Sequence, residues 1–120
     1  MKNPELKAFV DEQVKILVES SHTCKELMAV CKDWQAAAGT DKEADALKAL
    51  IAEAEADVMD LDHAIAIVSS EGGKRHFGEA VAKKLYDEAM IRKNRGEVWC
   101  FCDACVAAKK IADKKAELLA

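Results

Sequence analysis

A chain of 120 residues, 51% hydrophobic and 33% charged, has the composition of one globular domain, 1–120, and excludes a disordered or multi-domain protein. Its net charge of -4, with Lys and Arg interspersed among Asp and Glu, lacks the basic footprint of a nucleic-acid binder. Three Phe, two Trp and one Tyr also leave few rings on which exposed bases could stack.

Met1-Lys2-Asn3-Pro4 leads straight into an amphipathic pattern, without an apolar segment of signal-peptide type or an uncharged run of membrane-spanning length. A soluble cytoplasmic protein with no membrane partner is expected. Asn3 then Pro4 is a capping side chain followed by proline at the first helical position. Leu6, Phe9, Val10, Val14, Leu17 and Val18 recur at helical spacing, so the first predicted helix ends near Ser20-Ser21.

Thr23 with Glu26 predicts a capping box for a second helix running through Ala38 to Gly39. Cys24, Leu27, Cys31, Trp34 and Ala38 fall three or four apart on its inward stripe. Mid-helix, Cys31 reads as a buried thiol acting as a small hydrophobe. Cys24, in the first turn, reads as an inward residue where amide dipoles favour thiolate.

Thr40 and Glu43 repeat the capping box for a third helix carrying Leu47, Ile51, Ala54 and Val58. The pattern continues through Leu61, Ile65 and Val68, but one helix of about thirty residues would be about 45 Å long, so a break is expected near Asp57–Asp60. Asp60 and Asp62 suit the start of a fourth helix reaching Ser70, stopped by Gly72-Gly73. Gly72-Gly73-Lys74-Arg75-His76-Phe77-Gly78 is not a phosphate loop, because no strand precedes it, the glycine spacing is wrong and no Ser or Thr follows the lysine. It reads as a short helical turn and loop. A fifth helix spans about Glu79 to Asn94, with Val81, Leu85 and Ala89 inward and Gly96 as the stop. Asp103 is the expected cap of a sixth helix with the stripe Ala104, Ala108, Ile111 and Leu118 and a solvated face of Lys109, Lys110, Lys114 and Lys115. The fold class is therefore all-α, a single-domain bundle of five or six helices.

The chemistry concentrates in Cys100-Phe101-Cys102-Asp103-Ala104-Cys105. Five cysteines are an odd number for a disulfide framework, whereas a soft metal ion takes three or four thiolates at such spacing. A closed tetrahedral site needs a fourth ligand, and Cys24 is the expected one, with His22, in His-x-Cys, as runner-up. His63, opposite an apolar stripe, and His76, in the glycine segment, read as solvated. The expected site is thus Cys24, Cys100, Cys102 and Cys105 around zinc, cross-linking the bundle without catalysis. An iron–sulfur cluster on the same four cysteines is one alternative. The other is a thiol oxidoreductase using the Cys102/Cys105 pair, resembling the all-helical peroxidase-reductases. That family has a histidine four residues after its Cys-x-x-Cys, where this chain has Lys109.

Thr23-Cys24, Trp34, Asp57-Val58-Met59 and Trp99-Cys100-x-Cys102-x-Ala104-Cys105 together resemble an uncharacterised family of short helical proteins from anaerobic gut bacteria, some labelled heat-shock chaperones. The resemblance runs over the whole chain and implies a helical fold but no catalytic residue. The chaperone label has no counterpart in these residues, since the chain has no nucleotide-binding loop and is too short for an ATP-driven chaperone. A protein partner is compatible with this reading, and the residues name none.

Overall fold

The computed structural model describes Met1 and residues 3–120; Lys2, part of the N-terminal stretch read above, lies outside them. Among the described residues the protein is all-α. Its elements are α1 Pro4–Glu19, α2 Lys25–Ala37, α3 Glu43–Asp57, α4 Leu61–Val68, α5 Glu71–Phe77, α6 Glu79–Asn94, α7 Asp103–Asp113 and α8 Lys115–Leu118. No strand occurs among those residues, only an isolated antiparallel bridge between Asp60 and Trp99. They form two compact units, Met1–Val58 with Cys102–Ala120, and Met59–Phe101.

In the first unit, α1 packs on α2 and α7, and α3 packs on the same two helices. The shared core takes Val10, Val14 and Leu17 from α1, Leu27, Cys31 and Trp34 from α2, Leu47, Leu50, Ile51 and Ala54 from α3, and Ala104, Ala107, Ala108 and Ile111 from α7. Each large side chain here contributes about 1.5–3 kcal/mol by leaving water. The alanines of α7 recur at i, i+3 and i+4, so that helix presents a shallow face its neighbours can approach closely. Trp34 is fully buried yet satisfied, because its indole N–H donates to Asp11 Oδ1 at 3.0 Å. As the sequence predicts, Cys31 is 0% exposed in this stripe.

Helix starts follow the sequence in two places and depart from it in three. Asn3 Oδ1 accepts from the Glu5 and Leu6 amides, and Asp60 Oδ1 accepts from the His63 amide at 2.8 Å, placing the break at the expected Asp57–Asp60 stretch. The Thr23 capping box does not form: the Thr23 hydroxyl donates back to the Leu17 carbonyl at 2.6 Å, and Cys24 caps α2 in its place. Thr40 and Glu43 are each displaced by one register, Thr40 Oγ1 accepting from the Lys42 amide and Glu43 from the Gly39 amide. Nor does Asp103 cap α7; Cys102 does, and Asp103 becomes its first helical residue.

The second unit packs α4, α5 and α6 on one another. Two short helices explain why the described residues hold eight rather than five or six. One is α8, separated from α7 at Lys114. The other is α5: Gly72-Gly73 does not stop α4 but lies inside a new helix capped by Ser70, whose Oγ accepts from the Gly73 amide at 3.0 Å. A Cβ at Gly73 would collide with the Ile67 carbonyl, so only glycine lets α5 turn this closely against the end of α4. Val81, expected inward, is 48% exposed and Ala82 is buried in its stead, while Ala89 is buried as expected. Gly78, at φ +83, is the residue from which α6 starts.

Candidate metal centre

Backbone contacts in the second unit hold the segment leading to the first cysteine. The Leu61 amide donates to the Val98 carbonyl at 2.7 Å, and the Cys100 amide donates to the Met59 carbonyl at 2.8 Å. Cys100 is thus anchored by its main chain. Beside it in sequence, the Phe101 ring carries the Arg92 guanidinium 4.5 Å from its centroid, a cation–π contact that helps hold the strap in place.

Two residues later the chain enters α7. Cys102 Sγ accepts from the Cys105 amide at 3.3 Å, and the Cys102 carbonyl accepts from Val106 at 2.9 Å. This first turn brings Cys105 back over Cys102. The Cys100, Cys102 and Cys105 sulfurs all lie within 4.8 Å of one another, and all three residues are half-buried. A tetrahedral ion with metal–sulfur bonds of about 2.3 Å spaces its sulfurs about 3.8 Å apart, so small rotations of three side chains would suffice to bind it. The helix N-terminus adds partial positive charge where thiolate charge would gather. The arrangement can hold a metal ion.

Asp103, between these cysteines, ties the turn to another element of the same unit. Its Oδ1 accepts from the Ser20 hydroxyl at 2.7 Å and from the Ala104 amide at 2.8 Å. Ser20 Oγ in turn accepts from the His22 amide at 3.0 Å. The turn between α1 and α2 is therefore fastened to the start of α7.

Cys24 has different company. Its thiol donates to Asp57 Oδ2 at 3.2 Å while accepting from the Leu27 amide at 3.4 Å, and its sulfur groups with carboxylate oxygens of Glu53 and Asp57. Exposed rather than inward, it does not show the thiolate character expected of a helix N-terminus. Partial desolvation raises its pKa, the Leu27 amide works against that, and the hydrogen bond and negative charge of Asp57 raise it further. Glu53 is likewise raised, chiefly by its hydrogen bond to Asp57. Of the four expected ligands, the structure brings Cys100, Cys102 and Cys105 together and places Cys24 in this second group.

The three histidines are all exposed. His63 Nδ1 lies 2.7 Å from Asp60 Oδ1, and His76 meets the Phe77 ring edge-on at 4.7 Å. Sequence reading passed over Ser20, Glu53 and Asp57. Ser20 and Asp57 stand at expected helix ends, and nothing local in the sequence marks Glu53 as lying beside the Cys24 thiol.

Fold and site together define a small all-α protein whose three clustered cysteines can hold a metal ion. No family model, no curated protein and no solved structure matches this chain. No helix among the described residues is long and apolar enough to cross a membrane.

Proposed function

We propose that the protein is a non-enzymatic zinc protein in which the metal pins the Cys100–Cys105 segment and so stabilises the start of α7. The supporting observation is the convergence of three sulfurs within 4.8 Å on one six-residue segment. Zinc suits such a site because it accepts thiolates, needs no redox partner and is satisfied by tetrahedral geometry. A closed site of this kind adds its binding free energy to folding. Its gain falls on α7, whose alanine face fills the first core. A protein partner belongs to the same proposal, with Val98 and Trp99, 57% and 48% exposed beside the cysteines in sequence, as the apolar surface it would meet.

The test is a competition titration of zinc against a chromophoric chelator, comparing the parent protein with Cys100→Ser, Cys102→Ser and Cys105→Ser. One tight zinc per parent chain, and affinity reduced by orders of magnitude in each variant, is the expected result.

A second reading keeps the Cys102/Cys105 pair as a redox dithiol. The observation in its favour is the Cys105 amide on Cys102 Sγ, which would stabilise a thiolate. Against it, the place of a proton-carrying histidine is taken by Lys109, whose ammonium is paired with Asp113, and a lysine so paired is a poor proton shuttle near neutral pH.

A further inference from the structure

Three thiolates leave a tetrahedral zinc one ligand short. We infer that the fourth ligand is the imidazole of His22, giving a three-cysteine, one-histidine site. This rests on the zinc reading above and concerns which residue closes it.

The argument begins with attachment. Ser20 is only 8% exposed, and its hydroxyl joins the two elements concerned, donating to Asp103 at 2.7 Å and accepting from the His22 amide at 3.0 Å. Asp103 is flanked by Cys102 and by the turn that carries Cys105. Two hydrogen bonds therefore hold the His22 main chain beside the segment bearing these sulfurs, and an imidazole extends several ångströms from its Cα. Thr23, the next residue, is fastened to the Leu17 carbonyl, so the turn is braced on both sides of His22. The His22 side chain is exposed on this turn.

Elimination supports the same residue. Cys24 is engaged with Asp57 and with its own helix, and its sulfur groups with Glu53 and Asp57. His63 Nδ1 lies 2.7 Å from Asp60 Oδ1, and His76 meets the Phe77 ring edge-on.

Charge decides between the two donor types. Zinc with four thiolates carries a net charge of about -2, and with three thiolates and a neutral imidazole about -1. The N-terminus of α7 offers only about half a positive charge, and the Asp103 carboxylate already draws on it. The mixed donor set suits this environment better.

The experiment uses zinc alone for affinity and cobalt(II) as a spectroscopic substitute, on the full chain and on His22→Ala, His22→Cys, Cys24→Ser and Cys105→Ser, each checked for helical content by circular dichroism. His22→Ala should weaken zinc binding at least tenfold, and Cys24→Ser should bind like the parent. His22→Cys should recover tight binding, with stronger sulfur-to-cobalt charge-transfer absorption than the parent because a fourth thiolate has been added. Parent-like affinity and spectrum in His22→Ala would overturn the assignment, as would loss of zinc in Cys24→Ser alone. If Cys105→Ser also binds zinc like the parent, the three-cysteine reading falls with it. If Cys105→Ser abolishes binding while His22→Ala changes nothing, only the fourth ligand is wrong.

Discussion

The Cys105 amide donates to Cys102 Sγ at 3.3 Å, so the residue that caps α7 is also one of the three clustered thiols. The Leu27 amide uses Cys24 Sγ in the same way at the head of α2. Serine is a better cap than cysteine but a much poorer zinc ligand, which allows the two duties of Cys102 to be separated. Cys102→Ser should match or slightly exceed the parent in metal-free stability and lose zinc. Cys102→Ala should lose zinc and also about 1 kcal/mol of metal-free stability. Chemical denaturation with chelator present, followed by circular dichroism, measures both.

Cys31 should behave in the opposite manner. It is 0% exposed within the first core, so Cys31→Ala should leave zinc binding unchanged and cost about 1–2 kcal/mol through the cavity. Burial also pushes its pKa from 9.0 to about 11, with a smaller contribution from Cys24. The unfolded thiol loses its proton near the ordinary value while the folded one keeps it, so the unfolded state binds fewer protons in between. Stability from this group is therefore complete below pH 9 and lost as pH rises from 9 towards 11. Denaturation midpoints across that window should fall less steeply in Cys31→Ala than in the parent.

Adjacent glycines in α5 should respond with opposite signs. A Cβ at Gly73 would meet the Ile67 carbonyl, whereas one at Gly72 would find nothing nearer than Ser70 Oγ at 3.9 Å. Gly73→Ala should destabilise the Met59–Phe101 unit by about 1–3 kcal/mol through overpacking. Gly72→Ala, in a helical position with room for the methyl, should stabilise it by about 0.4–1 kcal/mol. Thermal unfolding of the two variants beside the parent gives the comparison.

These contrasts show what could be read from the chain and what could not. Asn3-Pro4, the break before Asp60 and the stop at Gly96, which adopts φ +87, are written in local chemistry and formed as expected. The sulfur trio was legible too, because six residues entering a helix leave the side chains little choice but to converge. The caps of α2 and α7 were not. Thr23 and Asp103 are the better capping residues by type, but the Leu17 carbonyl at the end of α1 takes one and Ser20, distant in sequence, the other. Gly73 was misread for a similar reason: its lack of a side chain serves a close approach to Ile67 rather than a helix stop. The acids around Cys24 come from the far end of α3, and only tertiary packing of α2 on α3 reveals them.

Acid should undo the metal site before it undoes the fold. Thiolates must be deprotonated to bind zinc, so each proton regained as pH falls competes with the metal. The rise in melting temperature produced by excess zinc should shrink steadily on acidification and vanish while the metal-free protein still melts cooperatively. Melting curves with and without zinc over descending pH check this through the mass-action dependence of stability on bound ligand.

The central claim is that the cysteine segment is a resident zinc site, and elemental analysis of protein purified anaerobically without added metal tests it most directly. The account predicts one zinc per chain in a colourless protein, and loss of that zinc in Cys102→Ser. A brown protein containing iron and inorganic sulfide, or a parent protein with no stoichiometric metal, would contradict it.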